Sequence, residues 1–208
     1  MSSIGPYLDL SSVVRDDTFV PDYVIVPNVL TPKECQGAIN YGMKKGSPSE
    51  GMIGNSESGT VQRGIRDTNL WWFQHRALKE KIEKVVSEVN NTNWKYKLNE
   101  CEFFQLGEYN QGGHYSWHSD GAPTKECNKH RKLSFSLVLN EGSEWKGGDL
   151  QLLTKLSREG KPMVKTLKKI NKRGTMVIFP SSTEHRVTPV TSGKRISLVG
   201  WLWGPNLT

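Results

Sequence analysis

A mainly β fold with flanking helices (α+β), a double-stranded β-helix or jelly-roll barrel buttressed by N-terminal helices, is the architecture this 208-residue sequence predicts. Three observations carry that expectation. Two segments in the first half have apolar residues at helical spacing, and from about residue 99 the rhythm turns into short strand-length runs punctuated by Gly, Pro, Asn and Ser. No repeat or second core is visible, so residues 1–208 read as one domain: an arm over 1–20, a helical buttress over 21–98, and a core over 99–204.

Residues 1–20 lack periodicity and read as a loosely held arm. Thr31-Pro32-Lys33-Glu34 opens the first helix with a capping Thr, a Pro at the first helical position and a Glu at the third. Cys35, Ala38, Ile39 and Met43 then share a face. Gly46 to Gly64 is rich in Gly and Ser without an apolar period, and is read as a long mobile loop suited to act as a lid over 46–64. The second helix, His75 to Asn90, places Leu78, Ile82, Val85, Val86 and Val89 on a core-facing stripe.

The strands are expected at Cys101–Leu106, Leu133–Asn140, Asp149–Thr154, Gly174–Pro180, His185–Val190 and Lys194–Trp203. Leu133, Phe135, Leu137 and Leu139 alternate with Ser134, Ser136, Val138 and Asn140, which gives one apolar face and one able to border a cavity.

Composition narrows the class. The three cysteines, Cys35, Cys101 and Cys127, form no close pair, which argues against a disulfide framework or a thiolate zinc site and for a reducing compartment. No basic head precedes an apolar run at the N-terminus, and no stretch approaches about 18 consecutive apolar residues, so a soluble cytoplasmic protein without a membrane partner is expected. Leu150 to Arg173 holds eight basic residues against one acid, Glu159, so this stretch alone accounts for the formal charge of +7. A solvated hairpin face is the plainer reading of segment 150–173, and a docking surface for an acidic partner the sharper one.

The chemistry-bearing pattern is His118-Ser119-Asp120, followed 65 residues after Asp120 by His185 and ten residues later by Arg195. Two imidazoles and a carboxylate can occupy one face of an Fe(II) ion and leave three positions open. A His-x-Asp triplet is weak by itself. It gains weight from the extended segment before it and from His185, which follows the apolar run Met176–Phe179 and a turn, where a barrel mouth would present it. On the last strand Arg195 and Ser197 share the parity of Val199 and Trp201, so if that face looks inward Arg195 is a buried cation in need of an anion. An exposed Arg beside Lys194 on a hairpin is the alternative.

Glu100 to Gly204 resembles the catalytic core of the Fe(II)- and 2-oxoglutarate-dependent dioxygenases, in particular the prolyl/lysyl hydroxylase branch. The resemblance rests on Tyr109, Tyr115-Ser-Trp-His118-Ser-Asp120, Arg131-Lys-Leu-Ser134, Gly147-Gly148-Asp149-Leu150, and His185 through Arg195-Ile-Ser197 to Trp201. Gly64-Ile65-Arg66-Asp67 with Trp71-Trp72 is similar, more loosely, to a segment that follows the substrate lid in the oxygen-sensing prolyl hydroxylases.

The resemblance implies iron held by His118, Asp120 and His185, with 2-oxoglutarate as cosubstrate and O2 as oxidant, and ascorbate as an optional reductant. It implies that Arg195 and Tyr109 bind the distal carboxylate of 2-oxoglutarate, that Tyr115 and Ser197 line that pocket, and that Arg131 and Trp201 border the target side chain. A protein or peptide substrate, most readily proline, follows. Related halogenases lack the carboxylate ligand, so Asp120 favours hydroxylation. Oxidative demethylases of nucleic acid carry a second Arg where this chain has Trp201, which disfavours nucleic acid as a partner without excluding it. A non-catalytic metal-binding scaffold is the third reading. The oligomeric state is left open.

Overall fold

The computed structural model describes residues 20–50, 52–53, 60–61, 63–121, 129–156 and 161–205, so all but the last residue of the anticipated arm lies outside the described residues. In chain order the described elements are β1 (Val24–Val26), α1 (Pro32–Lys45), β2 (Ser47–Glu50), β3 (Met52–Ile53), β4 (Thr60–Val61), β5 (Arg66–Asp67), β6 (Asn69–Phe73) and α2 (Arg76–Asn93). There follow β7 (Glu100–Cys101), β8 (Phe104–Tyr109), β9 (His114–His118), β10 (Lys129–Val138), β11 (Trp145–Gly147) and β12 (Leu150–Leu156). The chain continues through β13 (Pro162–Thr166), β14 (Met176–Pro180), β15 (His185–Val187), β16 (Val190–Gly193) and β17 (Arg195–Pro205).

Helix α1 starts where its capping residues place it. Thr31 Oγ1 accepts from Glu34 N at 3.3 Å while Glu34 Oε2 accepts from Thr31 N at 2.8 Å, so two otherwise orphaned donors are satisfied reciprocally. Its buried face is Cys35, Ala38, Ile39 and Gly42; Met43, expected there, is 36% exposed. The glycine is what lets the helix approach the sheet, since a Cβ at Gly42 would come within 2.9 Å of Leu106 and Phe73 side-chain atoms. Helix α2 is capped by His75, whose Nδ1 accepts from Leu78 N at 3.2 Å. Ile82 and Val86 are fully buried, and Leu78, Val85 and Val89 pack against the same core as anticipated.

Two antiparallel sheets organise the rest. The larger has the order β1-β14-β10-β17-β8-β6-β2, with β7 also pairing β17, and the smaller β13-β12-β15-β9-β5. This is the two-sheet jelly-roll arrangement with helical buttress that the sequence predicts, although among the described residues no ladder joins the two sheets into a closed barrel. One core lies between the large sheet and the helices, with Leu133, Phe135, Leu137, Leu198 and Leu202 from the sheet against Ile39, Ile82 and Val86. A second core draws Val138, Val177 and Phe179 from the large sheet and Leu150, Leu152 and Val187 from the small one.

Several expected boundaries need correction. The loop predicted over 46–64 begins as a strand, because Ser47–Glu50 register with Asn69–Trp72 on the sheet edge. Met52–Ile53 then pair with Thr60–Val61, while 54–59 lie outside the described residues. The strand expected at His185–Val190 is two strands, since Thr188 turns to exchange bonds with Asp149 (Thr188 N to Asp149 O at 2.9 Å, Asp149 N to Thr188 Oγ1 at 2.8 Å) and Pro189 has no N–H to give. Cys101–Leu106 is likewise divided, into β7 and β8.

Candidate metal centre and its pocket

Strands β9 and β15 are antiparallel neighbours whose register sets His185 directly opposite His118. Asp120 lies two residues past His118, its backbone N–H anchored to Ser181 O at 2.9 Å. The result is one cluster, with a ligating atom of each of His118, Asp120 and His185 within 4.8 Å of the others. His118 Nε2 is 3.8 Å from Asp120 Oδ1, and His185 Nε2 is 3.4 Å from Asp120 Oδ2.

The backbone selects the tautomers. His118 Nδ1 meets Ser116 O at 2.8 Å and His185 Nδ1 meets Thr183 O at 2.9 Å. A carbonyl oxygen only accepts, so each Nδ1 must carry a proton, and Nε2 is the ring nitrogen that each histidine turns to the cluster. Burial, reinforced by the neighbouring His185, pushes the His118 imidazole down to about 4, which keeps it neutral and able to ligate. Burial works against ionisation of Asp120, but attraction to His185 and then His118 when these rings carry charge, with the bond from Ser134, outweighs it and holds the carboxyl below its ordinary value. Ser134 Oγ donates to Asp120 Oδ2 at 2.8 Å and lies 2.9 Å from Ser181 Oγ.

The cluster opens into a cavity of about 180 Å³ between the sheets, lined also by Tyr109, Arg195, Ser197 and Trp201. That volume falls below the ~300–1,000 Å³ of pockets for drug-sized ligands and suits a small acid. Arg195 does face inward, as its strand parity predicts, and is 1% exposed. Its Nη1 donates to Ser197 Oγ at 3.0 Å, but Nε and Nη2 are buried with no partner. Among the described residues no carboxylate forms an ion pair with it. Burial accordingly draws the guanidinium below its ordinary value.

Tyr109 lies opposite Arg195 in the β8–β17 register, its ring 5.5 Å from the guanidinium carbon. Gly148, at φ +59°, passes so close that a Cβ there would come within 3.2 Å of Arg195 Cδ.

The remaining anticipated residues also border this cavity. Tyr115 stacks on the His118 ring at 3.6 Å and 18°. Arg131 grips Glu102 through two bonds, of 2.8 and 2.7 Å, and lies 3.9 Å over the Trp201 ring. Trp201 stacks on Trp72 at 5.8 Å, and its indole N–H is buried near Asp120 without a bond of normal geometry.

One pocket residue escaped the sequence analysis, where it entered only as part of a loosely similar segment. Arg66, 7% exposed, donates from Nη2 to Gln105 Oε1 at 2.6 Å, lies 4.4 Å over the Tyr115 ring and keeps a buried, unpartnered Nε. The pairing of β5 with β9 sets it opposite Tyr115. Histidines 75 and 114 serve structure, the first as a helix cap and the second meeting Gly112 O at 3.0 Å.

Comparison with known proteins converges on the same region. Residues 104–203 match the profile of the 2OG-Fe(II) oxygenase superfamily. A PKHD-type hydroxylase of Parvibaculum lavamentivorans is 37% identical over 97 residues, covering 47% of this chain and 40% of that relative. One from Picosynechococcus is 35% identical over 127 residues, covering 61% and 53%. The chain thus spans about two fifths to one half of the length of these curated relatives.

Among solved structures, a viral collagen prolyl hydroxylase from Paramecium Bursaria Chlorella virus-1, in complex with 2OG, superposes with a TM-score of 0.62 at 21% identity, covering 92% of this chain and 99% of that one. A Trichoplax adhaerens prolyl hydroxylase bound to a hypoxia inducible factor oxygen degradation domain peptide fragment gives 0.67 at 20% identity, covering 87% and 83%. Both share the fold. No helix among the described residues is long and apolar enough to cross a membrane.

Proposed function

We propose that this chain, whose residues 104–203 match the 2OG-Fe(II) oxygenase superfamily, belongs to it and hydroxylates a side chain of a protein or peptide, proline foremost. The observation that carries the reading is Arg195: a fully buried cation with two unpartnered nitrogens, in the same cavity as two imidazoles and a carboxylate. An unpaired buried charge costs several kcal/mol, so the site is built for an anion that arrives from outside. The donor set fits Fe(II), and the cation fits the distal carboxylate of 2-oxoglutarate.

On this reading His118, Asp120 and His185 would hold the iron, with both histidines fixed as Nε2 ligands by Ser116 O and Thr183 O. Arg195 would bind the distal carboxylate, oriented by Ser197, with Tyr109 beside it. Bound together, iron, 2-oxoglutarate and O2 supply the oxidising power for C–H hydroxylation and release succinate and CO2. Arg131, immobilised between Glu102 and Trp201, would border the target side chain. A peptide substrate is favoured because the Trichoplax neighbour was solved with a peptide fragment and the viral one is a collagen prolyl hydroxylase. Trp201 stands where demethylases of nucleic acid carry an Arg.

The test is anaerobic titration with Fe(II) and 2-oxoglutarate, read by the metal-to-ligand charge-transfer band. Mass spectrometry of proline-rich peptides would then look for a gain of one oxygen after exposure to air. His118→Ala and His185→Ala should each abolish succinate formation while the domain stays folded. Turnover retained in either variant would overturn the assignment.

A further inference from the structure

We propose that the outer edge of the smaller sheet, strand β13 with the basic turn that follows it, docks an acidic, extended polypeptide segment. Building on the function proposed above, that segment belongs to the substrate protein and lies to one side of the hydroxylated residue. Strand β13 ends its sheet and pairs, among the described residues, only with β12. Four of its five residues are exposed, Met163 and Val164 each at 52%.

Among the described residues the outer backbone of this edge has no partner. Leu167 N bonds Leu150 O at 3.0 Å, and Lys165 and Met163 follow it at intervals of two opposite Leu152 and Thr154. The backbone groups of these residues therefore point to β12, and those of Val164 and Thr166 point away from the sheet. An unpaired row of this kind is a template for strand addition.

Charge selects the occupant. The stretch 150–173 carries the whole formal excess of +7, and Lys165, Lys169 and Lys172 are exposed with no carboxylate partner among the described residues. Of the acids on adjoining strands, Asp149 is already held by Lys168 at 2.5 Å and Glu184 lies beyond β12. The backbone row and the exposed Met163–Val164 pair suit a polypeptide. Described residues of β13 include no aromatic ring on which a nucleic-acid base would stack.

The edge is also tied geometrically to the metal cluster. Lys165, Leu152, His185 and His118 form one registered row across four strands. A strand added outside β13 would lie three strand spacings from His185, about 14 Å at ~4.8 Å each. Spanning that gap takes at least about five residues at ~3.3 Å per residue, so the acidic stretch should sit at least that far along the chain from the target.

Binding to the metal-free protein tests the proposal without relying on turnover. The probes are a fluorescent peptide of about ten residues alternating Glu with Val or Thr, its Gln counterpart, and a single-stranded oligonucleotide of similar length. The Glu peptide should bind at least about tenfold tighter than the Gln peptide at low salt, an advantage that shrinks as salt is raised. Combining Lys165→Glu with Lys169→Glu should remove that advantage. Val164→Pro, which deletes an outward N–H, should weaken the Glu peptide by a similar factor.

Mn(II) affinity at the His-Asp-His cluster, measured on each variant, reports that the fold is intact. If Val164→Pro does not fold, the charge reversals carry the test. Equal binding of the two peptides, tighter binding of the oligonucleotide, or no loss in a folded variant would overturn the docking edge. A protein that binds the Glu peptide but forms no succinate would instead count against the proposed function and leave the edge standing.

Discussion

The two faces of the large sheet differ in kind although the same strands build both. On β10, Leu133, Phe135 and Leu137 face the helices and are completely buried among apolar neighbours, while Ser134 and Ser136 face the cavity. On β17, Ile196, Leu198 and Leu202 pack toward the helices, whereas Arg195, Ser197 and Trp201 line the cavity. Of the six buried side-chain polar atoms without a partner among the described residues, three, on Arg195 and Trp201, belong to this second face, and a fourth, on Arg66, reaches the same cavity from the smaller sheet. Unsatisfied donors gathered on one face point to a ligand that completes them, and the two-residue period of a strand keeps them apart from the residues that hold the fold. Substitutions on one face should therefore change affinity without stability, and on the other stability without affinity.

The largest separation is expected at Arg195. Arg195→Met keeps the aliphatic bulk but removes the charge that we propose binds the distal carboxylate, at an expected cost of about 3–5 kcal/mol, or roughly two to four powers of ten in 2-oxoglutarate affinity. The ligand-free variant should melt no lower than wild type, because an unpaired buried cation has gone. Lys194→Met, which removes a half-exposed ammonium that donates to Glu108 at 3.0 Å, should leave 2-oxoglutarate affinity within a few-fold. Equal losses in the two variants, read by the charge-transfer band, would break the comparison.

Three residues away, on the other face, Leu198→Ala should do the reverse. Leu198 is 0% exposed in the helix-backed core, so truncation should destabilise by about 2–5 kcal/mol in denaturant melts. The 2-oxoglutarate affinity of the folded protein should stay at the wild-type value; a parallel fall would show that the faces are coupled through the strand.

Ser134→Ala sharpens the comparison on β10. It deletes the donor to Asp120 Oδ2, and loss of a group that orients a ligand typically weakens metal binding about 10–100-fold. Mn(II) titration should detect this with little change in melting temperature. An unchanged metal affinity would mean that Ser134 merely fills space beside Ser181.

This parity was legible in the sequence because a strand's period is two, and the alternation of Leu133–Asn140 and the placing of Arg195 with Trp201 needed no tertiary information. The cluster His118, Asp120 and His185 was legible from spacing and strand context. Arg66 was not, since its burial depends on a two-residue strand finding Tyr115 and on a bond to Gln105, 39 residues on. Neither was the edge strand Ser47–Glu50: its Ser-Pro-Ser-Glu composition reads as loop, and only pairing with β6 makes it a strand. Gly42 in place of Met43 was missed because a glycine has no side chain to enter an apolar pattern, yet its lack of one is what the close approach to Phe73 requires.

The smallest effect belongs to the outer rim of the helix-backed side, where charge is present but solvated. Glu34 accepts from Thr31 N and, at 2.6 Å, from Lys81 on α2, so one exposed carboxylate ties the start of α1 to the second helix. Hydrogen bonding from Lys81, followed by that from Thr31, holds its carboxyl down to about 2. The sign follows from that depression: the contribution is present above the unfolded carboxyl value of about 4.3 and is lost as pH falls from there toward 2. Because the side chain is 42% exposed, solvent screening limits its worth to less than about 1 kcal/mol. Glu34→Gln should lower stability by that small amount at pH 7, and the gap from wild type should close when both are unfolded in urea near the lower end of this window. A gap that persists there would assign the loss to altered cap geometry. A gap as large as that of Leu198→Ala would mean that this face draws its stability from charge as well as from apolar packing.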